Sequence, residues 1–180
     1  MQGRQVDTAE DAEALLVDVG APERLIMHGR LVLEAAEELL ARAKGLGVAI
    51  DGRLVRAGAV LHDIGKTVQP DELHASGALH EEAGERLLLA RGIEPAVARC
   101  CVSHARWATM TCSLEELLVA LADALWKGVR RESLEKRVVE EIAGRLAVDP
   151  WSIFVDLDSC FEDISERGPE RLIRSVTRPG

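Results

Sequence analysis

The most informative stretch of the chain runs from residue 61 to residue 66 and reads Leu61-His62-Asp63-Ile64-Gly65-Lys66. It places an adjacent histidine and aspartate at the end of an apolar segment that has the spacing of a buried helix. Burial is costly for an imidazole or a carboxylate unless a partner compensates for it. The stretch therefore predicts a helix that ends in a functional site inside a protein core.

Other polar residues interrupt apolar helical faces on either side of this stretch. His28, His80 and His104 each have apolar or small neighbours three and four residues away, so their rings point inward if the segments are helical. Asp123 lies in the apolar run 117–126, where an unpaired carboxylate is expensive. A single inward histidine is more often a hydrogen-bonded core residue than a ligand. Several such intrusions together predict a shared metal site.

The predicted ligands combine imidazole nitrogens with carboxylate oxygens, and they are His28, His62, Asp63, His80, His104 and Asp123. Such a mixed shell suits Fe, Mn, Co, Ni, Zn or Mg, of which we favour iron or manganese. It leaves coordination positions for water and substrate. Because a carboxylate has two oxygens, Asp63 could bridge two ions, the second of them held by His80 and His104. We expect one or two divalent ions per chain.

Several cations follow the predicted ligands along the sequence. Lys66 lies just past a glycine and one helical turn beyond His62, so its ammonium group is expected to meet a phosphate next to the metal. Arg106, Lys127, Arg130 and Arg131 follow the last two ligands and could bind a polyanionic substrate. The alternative for each of them is a solvated surface charge. His74 lies in the polar stretch 71–77 and is expected to be a loop residue outside the site.

Helical periodicity runs through almost the whole chain, and no window shows the sustained alternation of a strand. Helix starts are indicated by Thr8, by prolines at 22, 95 and 150, and by the capping-box pair Ser113 and Glu116. We predict an all-α fold with helices near residues 8–19, 22–44, 52–63, 77–91, 95–105, 114–130, 134–147, 150–164 and 169–175.

This pattern predicts one compact helical bundle over residues 1–180. Its metal-binding core covers about residues 22–131, and helices within 132–176 are expected to pack on that core. The polar connection 65–77 leaves directly from the His-Asp pair and is predicted to be a mobile rim of the site.

Composition limits the classes of partner. An apolar fraction of 47% over 180 residues is enough for one buried core. The 22 basic and 31 acidic residues give a net charge of −9, which argues against broad binding to nucleic acids or anionic membranes. No apolar run could span a bilayer and no apolar signal segment begins the chain, so we expect a cytoplasmic protein. The four cysteines lack metal-site spacing and are expected to be reduced thiols. The oligomeric state stays open.

The ordered set His28, His62-Asp63 and Asp123 resembles the HD-domain superfamily of metal-dependent phosphohydrolases over residues 27–127. That resemblance implies an all-α HD-type domain and a first metal held by these four residues. It also implies catalytic roles for Asp63, which holds the metal, and for Lys66, which would face the phosphate.

The additional histidines His80 and His104 make the sequence similar to the six-ligand, two-metal branch of the superfamily, which includes bacterial symmetrical diadenosine tetraphosphate hydrolases. In that branch His80, His104 and the shared Asp63 would hold the second metal. The residues that follow His104 and Asp123 depart from the pattern of those hydrolases, so the resemblance leaves the substrate open.

The expected function is hydrolysis of a phosphoester or phosphoanhydride in a nucleotide or another small phosphorylated molecule. Two alternatives remain. The superfamily also includes di-iron oxygenases with the same ligand types. A third reading is a non-catalytic module that senses a nucleotide or another ligand.

Overall fold

The computed structural model describes residues 6–176, which form nine α-helices and two short 3-10 helices and contain no β-strand. The prediction of an all-α fold is confirmed. Residues 1–5 and 177–180 belong to the predicted domain but lie outside the described range. The α-helices are α1 (Ala9–Asp18), α2 (Glu23–Gly45), α3 (Gly52–Leu61), α4 (Leu79–Ala90), α5 (Pro95–Arg106), α6 (Leu114–Leu125), α7 (Glu132–Leu146), α8 (Trp151–Glu166) and α9 (Gly168–Val176).

Two helices begin with the capping boxes that their sequences indicate. The Thr8 hydroxyl accepts a hydrogen bond from Asp11 N, and the Asp11 carboxylate accepts one from Thr8 N. Ser113 and Glu116 repeat this exchange at the start of α6. Each box satisfies two backbone donors that a helix leaves unpaired, so the first residue of α1 and of α6 is fixed locally.

Helix α6 lies at the centre of the fold and is buried along almost its whole length. It packs against α2, α3, α5 and α7. Its five fully buried leucines each contribute about 1.5–3 kcal/mol through burial of apolar surface, and they are Leu114, Leu117, Leu118, Leu121 and Leu125. Asp123 is the one acid in the second half of this helix, so the best-packed element of the fold positions it.

Two predicted helices end earlier than the periodicity indicated. Helix α3 ends at Leu61, and the chain continues into a 3-10 helix, Ile64–Thr67. Asp63 has a φ of −101° and a ψ of 8°, so the His-Asp pair lies in the turn between the two helices. Helix α6 ends at Leu125, and Gly128 reverses the chain with a φ of +82°. Glycine adopts this backbone conformation without the steric cost of a Cβ.

The polar connection that precedes α4 is more regular than predicted. It contains the 3-10 helices Ile64–Thr67 and Pro70–Leu73, and α4 begins at Leu79. The proposed mobility of this rim stays a prediction.

The last two helices pack on α2, the helix that carries His28. Arg171 of α9 is only 2% exposed, and its guanidinium donates to Glu38 of α2 (2.9 Å) and to the carbonyl oxygen of Ile164 (2.7 Å). Arg174 makes a bidentate pair with Glu34 (2.8 and 2.7 Å). The assignment of the whole chain to one domain stays a prediction. Among the described helices, none combines the length and the apolar character needed to span a bilayer.

Candidate metal centre

The six predicted ligands converge on one place from five segments of the chain. They are His28 on α2, His62 and Asp63 at the end of α3, His80 in the first turn of α4, His104 in the last turn of α5 and Asp123 on α6. The packing of these helices therefore brings together side chains that lie up to 95 positions apart in the sequence. The role of each residue as a ligand stays a prediction.

Asp63 lies in the middle of this cluster and is 4% exposed. Its Oδ2 atom is 3.2 Å from His28 Nε2 and 3.8 Å from His62 Nε2. Its Oδ1 atom is 3.1 Å from His80 Nε2 and 3.6 Å from His104 Nε2. Each carboxylate oxygen thus faces a different pair of imidazole nitrogens, which is the arrangement expected of a carboxylate that bridges two ions.

Asp123 adds a second carboxylate on one side of Asp63. Its Oδ1 atom lies 3.6 Å from His28 Nε2 and 3.5 Å from His62 Nε2, and these two nitrogens are 3.1 Å apart. Two sets of three residues have ligand atoms all within 4.8 Å of one another: His28, His62 and Asp123, and His62, Asp63 and His104. Either set could hold one ion, and His62 belongs to both.

Three of the rings are oriented by their Nδ1 atoms, each of which meets an oxygen that can only accept a hydrogen bond. The partners are the Ala59 carbonyl for His62 (2.9 Å), the Cys100 carbonyl for His104 (3.1 Å) and Glu72 Oε2 for His80 (2.6 Å). The hydrogen must therefore be on Nδ1, so in the neutral ring Nε2 carries a lone pair. This is the tautomer that a metal ligand needs.

The electrostatics of the cluster also call for a cation. Burial alone would raise the pKa of Asp63, but His62, His28 and His80 hold it well below its usual range. Burial would lower the pKa of His62, yet Asp63 and Asp123 raise it above its ordinary value. Burial, with a contribution from His62, lowers the pKa of His104 to about 4. The carboxylates are ionised, and the nitrogens around them must share a proton or meet another positive charge.

One observation favours a metal ion as that charge, and a second shows where a protein cation already lies. The Nε2 atom of His80 is buried and finds no partner of suitable hydrogen-bond geometry among residues 6–176, although Asp63 Oδ1 is close. The ammonium group of Lys66 lies 2.5 Å from Asp63 Oδ2 and supplies a positive charge at the oxygen that faces His28. The donor set, its tautomers and its charge therefore fit divalent ions.

Close contact between two glycines brings His80 to the centre. A Cβ atom on Gly65 would lie 1.9 Å from the carbonyl oxygen of His80 and 2.6 Å from the backbone nitrogen of Gly84. A Cβ on Gly84 would in turn lie 3.0 Å from Gly65 N. Because no side chain separates the two backbones, the first turns of α4 pack directly against the turn that carries Asp63.

A cavity of about 340 Å³ opens beside the centre. Its lining includes two of the predicted ligands and two cations, and comprises His104, Ala105, Trp107, Ala108, Ala120, Asp123, Ala124, Lys127, Arg131 and Leu134. Lys127 Nζ lies 3.6 Å from Asp123 Oδ2. Arg131 is exposed and makes no ion pair within residues 6–176. The cavity therefore connects the cluster of predicted ligands with two cationic side chains.

The other predicted substrate-binding cations lie outside this lining. Arg106 donates to Glu81 (2.6 Å) and Glu82 (3.1 Å), which ties the end of α5 to α4. Arg130 is held by two carboxylates, Glu135 (2.8 Å) and Asp158 (2.5 Å). These pairings occupy both guanidinium groups, and the predicted contact of either with substrate stays a prediction.

The remaining candidates lie at the edge of the site or in the core. His74 contacts Arg24 (3.3 Å), is not one of the clustered residues and forms part of the rim. All four cysteines are free thiols. Cys101, next to the site, is buried, and its thiol donates to the carbonyl oxygen of Leu61 (3.5 Å).

Two residues at the site were not predicted from the sequence: Glu72, which contacts His80, and Trp107, which lines the cavity. Glu72 lies in a polar connection with no periodicity, and its contact with His80 depends on how that connection folds back. Trp107 directly follows α5, and its proximity to His104 in the sequence was the available signal.

Comparison with known proteins adds the family context. The sequence profile of the HD domain family matches residues 8–127. The chain is 28% identical to a tRNA (cytidine(56)-2'-O)-methyltransferase of Thermoplasma volcanium, over 81% of this chain and 47% of that protein. It is 32% identical to a ribonuclease Y of Treponema pallidum, over 72% of this chain and 28% of that protein.

A third relative is an uncharacterized protein of Methanocaldococcus jannaschii, which is 28% identical over 73% of this chain and 82% of that protein. The chain thus spans less than half of the first two relatives and most of the third. No solved structure matches the chain.

Proposed function

This chain belongs to the HD-domain family, and from that premise we propose that it is a metal-dependent phosphohydrolase that cleaves a phosphoester or phosphoanhydride in a small phosphorylated molecule such as a nucleotide. The observation that carries the proposal is the placement of Asp63, whose two carboxylate oxygens each face a pair of imidazole Nε2 atoms. A buried carboxylate between two nitrogen pairs suits two divalent ions.

These distances support the following ligand roles. His28, His62 and Asp123 would hold one ion, His80 and His104 would hold the other, and Asp63 would be shared. When bound, divalent ions polarise a phosphoryl oxygen and make an attacking water more acidic. We propose two ions per chain, with iron or manganese favoured, as in the two-metal branch that the sequence resembles.

The protein's own cations would bind the substrate's phosphate. Lys127 and Arg131 line the cavity beside Asp123, whereas Arg106 and Arg130 are engaged by carboxylates elsewhere. We therefore assign phosphate binding to Lys127 and Arg131. Lys66 would release Asp63 and pair with a phosphoryl oxygen that enters the centre.

The volume of the cavity and the net charge of the protein favour a small substrate. The cavity of about 340 Å³ is at the lower end of the range of roughly 300–1,000 Å³ that is typical of small-molecule sites. The net charge of −9 opposes extended contact with a nucleic acid. The relative named ribonuclease Y is the observation that favours the second candidate, hydrolysis of an RNA phosphodiester.

The test begins with protein purified without a metal-affinity tag, whose metal content per chain is measured by plasma mass spectrometry. The protein, loaded with Fe²⁺, Mn²⁺ or Mg²⁺, is then offered nucleoside mono-, di- and triphosphates, dinucleoside tetraphosphates and single-stranded RNA. We expect phosphate release from a small nucleotide, and none from an Asp63→Ala variant.

Two results would overturn the proposal. Normal metal binding with no hydrolysis of any compound would favour a ligand-sensing module. Oxygen consumption by the iron-loaded protein in the presence of a substrate would favour an oxygenase.

A further inference from the structure

One carboxylate outside the ligand set makes three hydrogen bonds at the edge of the centre. Glu72 lies in the 3-10 helix Pro70–Leu73, and its side chain is 10% exposed. Its Oε1 atom accepts from Leu79 N (3.0 Å), and its Oε2 atom accepts from His80 N (2.9 Å) and from His80 Nδ1 (2.6 Å). Both oxygens are therefore directed at the first turn of α4.

These bonds fix both the backbone and the ring of His80. The backbone bonds satisfy donors that the start of α4 leaves unpaired, since Ala78 makes no side-chain cap there. The ring bond places the hydrogen on Nδ1 and directs the Nε2 lone pair at Asp63 Oδ1, 3.1 Å away. His62 and His104 receive the same orientation from carbonyl oxygens of their own helices, whereas His80 depends on a residue of the rim.

The rim is shaped so that Glu72 reaches this position. A Cβ atom on Gly77 would lie 2.0 Å from Glu72 Oε1 and 2.3 Å from its Cδ atom. The chain therefore passes over the carboxylate at a distance that only glycine allows. The carboxylate is enclosed between this backbone and α4.

We propose that Glu72 is a positioning residue for the second ion, and that it makes the order of residues 68–78 a condition for that ion's binding. The inference rests on the proposed function only in taking His80 as a ligand of one of two ions. Glu72 touches neither ion nor substrate and acts through His80. The same carboxylate holds both this segment and His80. Because such coupling is reciprocal, an ion bound at His80 must also favour the ordered state of residues 68–78.

The first experiment measures Mn²⁺ binding by isothermal titration calorimetry in the wild type and in Glu72→Gln. Loss of a residue that orients a metal-ligating histidine typically lowers metal affinity about 10- to 100-fold. We expect such a loss for one ion of the two, with the affinity of the ion at His28 unchanged. The matched control is Asp71→Asn, because Asp71 is the adjacent exposed carboxylate of the same 3-10 helix and makes no contact with His80.

The second measurement separates positioning from simple stabilisation. In the Nδ1–H tautomer the ¹⁵N shifts of the His80 ring differ from those of the other tautomer, and metal-free Glu72→Gln is expected to show a mixture of the two. In a His80→Ala background, Glu72→Gln should cause no further loss of Mn²⁺ affinity. Limited proteolysis should cut residues 68–78 of the wild type more slowly once the second equivalent of Mn²⁺ has bound.

A different variant covers the case in which Glu72→Gln fails to fold. Gly77→Ala leaves the carboxylate in place but displaces it, and we expect the same selective loss of one ion. If Glu72→Gln binds both Mn²⁺ ions with the wild-type affinities and keeps the wild-type His80 tautomer, the inference is overturned and the proposed function stays intact. A wild type that binds no second ion would overturn the two-metal proposal itself.

Discussion

Lys66 Nζ lies 2.5 Å from Asp63 Oδ2, the same carboxylate oxygen that faces His28 Nε2. A lysine ammonium and a metal ion carry charge of the same sign, so they compete for this oxygen. An ion that binds there would displace the ammonium toward the substrate side, where it would meet a phosphoryl group.

Replacement of Lys66 should therefore separate metal binding from turnover. In Lys66→Met we expect metal affinity to be unchanged or higher, because a competing cation is removed, and phosphate release to fall by about 100-fold, as for loss of a charge-stabilising donor. Metal content and turnover are measured on the same preparation. Lys136→Met is the control, because that lysine is 74% exposed and, within residues 6–176, its one ion pair is with Glu140. Loss of metal in Lys66→Met would contradict the assigned role.

The two aspartates should differ in how many ions they hold. Asp63 faces all four imidazoles, whereas Asp123 faces only His28 and His62. If two ions bind, we expect about two equivalents of Mn²⁺ per chain in the wild type, about one in Asp123→Asn and almost none in Asp63→Asn. Plasma mass spectrometry after gel filtration measures these ratios. Equal losses in the two variants would argue that a single ion binds.

Substitution of Gly65 should damage both the fold and the centre. In Gly65→Ala the new Cβ meets the backbone of His80 and Gly84, which cannot move aside as a side chain can. We expect the free energy of unfolding to fall by about 3 kcal/mol or more, as in severe overpacking, with a loss of metal at His80. Thermal unfolding followed by circular dichroism measures the change.

The matched control for that variant is Gly144→Ala on α7. A Cβ atom on Gly144 would have no heavy atom within 4 Å. Alanine is the better helix former, so we expect this variant to gain up to about 1 kcal/mol of stability. Similar destabilisation by both substitutions would mean that the contact between Gly65 and α4 is less tight than described.

Acid should weaken a buried ion pair far from the centre. Glu115 on α6 accepts two hydrogen bonds from Arg145 (3.0 and 3.1 Å). Burial alone would raise the pKa of Glu115, but Arg145 and two backbone donors lower it below its ordinary value. A lowered folded-state pKa means that the pair stabilises the protein above the unfolded-state pKa of about 4.3, and that this contribution is lost as the pH falls through the folded-state value.

Glu115→Gln tests that assignment. Arg145 is partly exposed, so we expect a loss of only about 1–2 kcal/mol at pH 7. The difference in melting temperature from the wild type should be largest near neutral pH and should shrink below about pH 4. A difference that is constant with pH would show that the carboxylate's charge is not the cause.

The sequence was enough to predict the fold class and the residues that cluster. Helical periodicity and the cap residues Thr8 and Ser113 are local signals, and each inward histidine interrupts an apolar stripe that can be read from its neighbours. The convergence of six such interruptions follows because a bundle with one core directs them all toward the same interior. The fold class and the clustered residues were predicted well because local sequence pattern and burial determine them.

The environment of the cations could not be predicted in the same way. Arg106 meets Glu81 and Arg130 meets Asp158, and both pairings depend on how separate helices are placed relative to one another. Glu72 was missed for the same reason, since its carboxylate reaches His80 only because the 3-10 turns fold back over α4. A charge in a sequence does not reveal its partner when the partner is on another element.

The assembly of the centre from residues as distant as His28 and Asp123 has a consequence for folding itself. A partly folded chain that lacks any one of the five segments cannot present the complete ligand set, so an ion that binds this set would recognise almost solely the native state. Such an ion would act as a folding ligand, and by mass action it would add about 2.7 kcal/mol of stability at a free concentration of 100 Kd. We expect the melting temperature to rise with Mn²⁺ concentration, and we expect metal supply to govern how much folded protein a cell keeps.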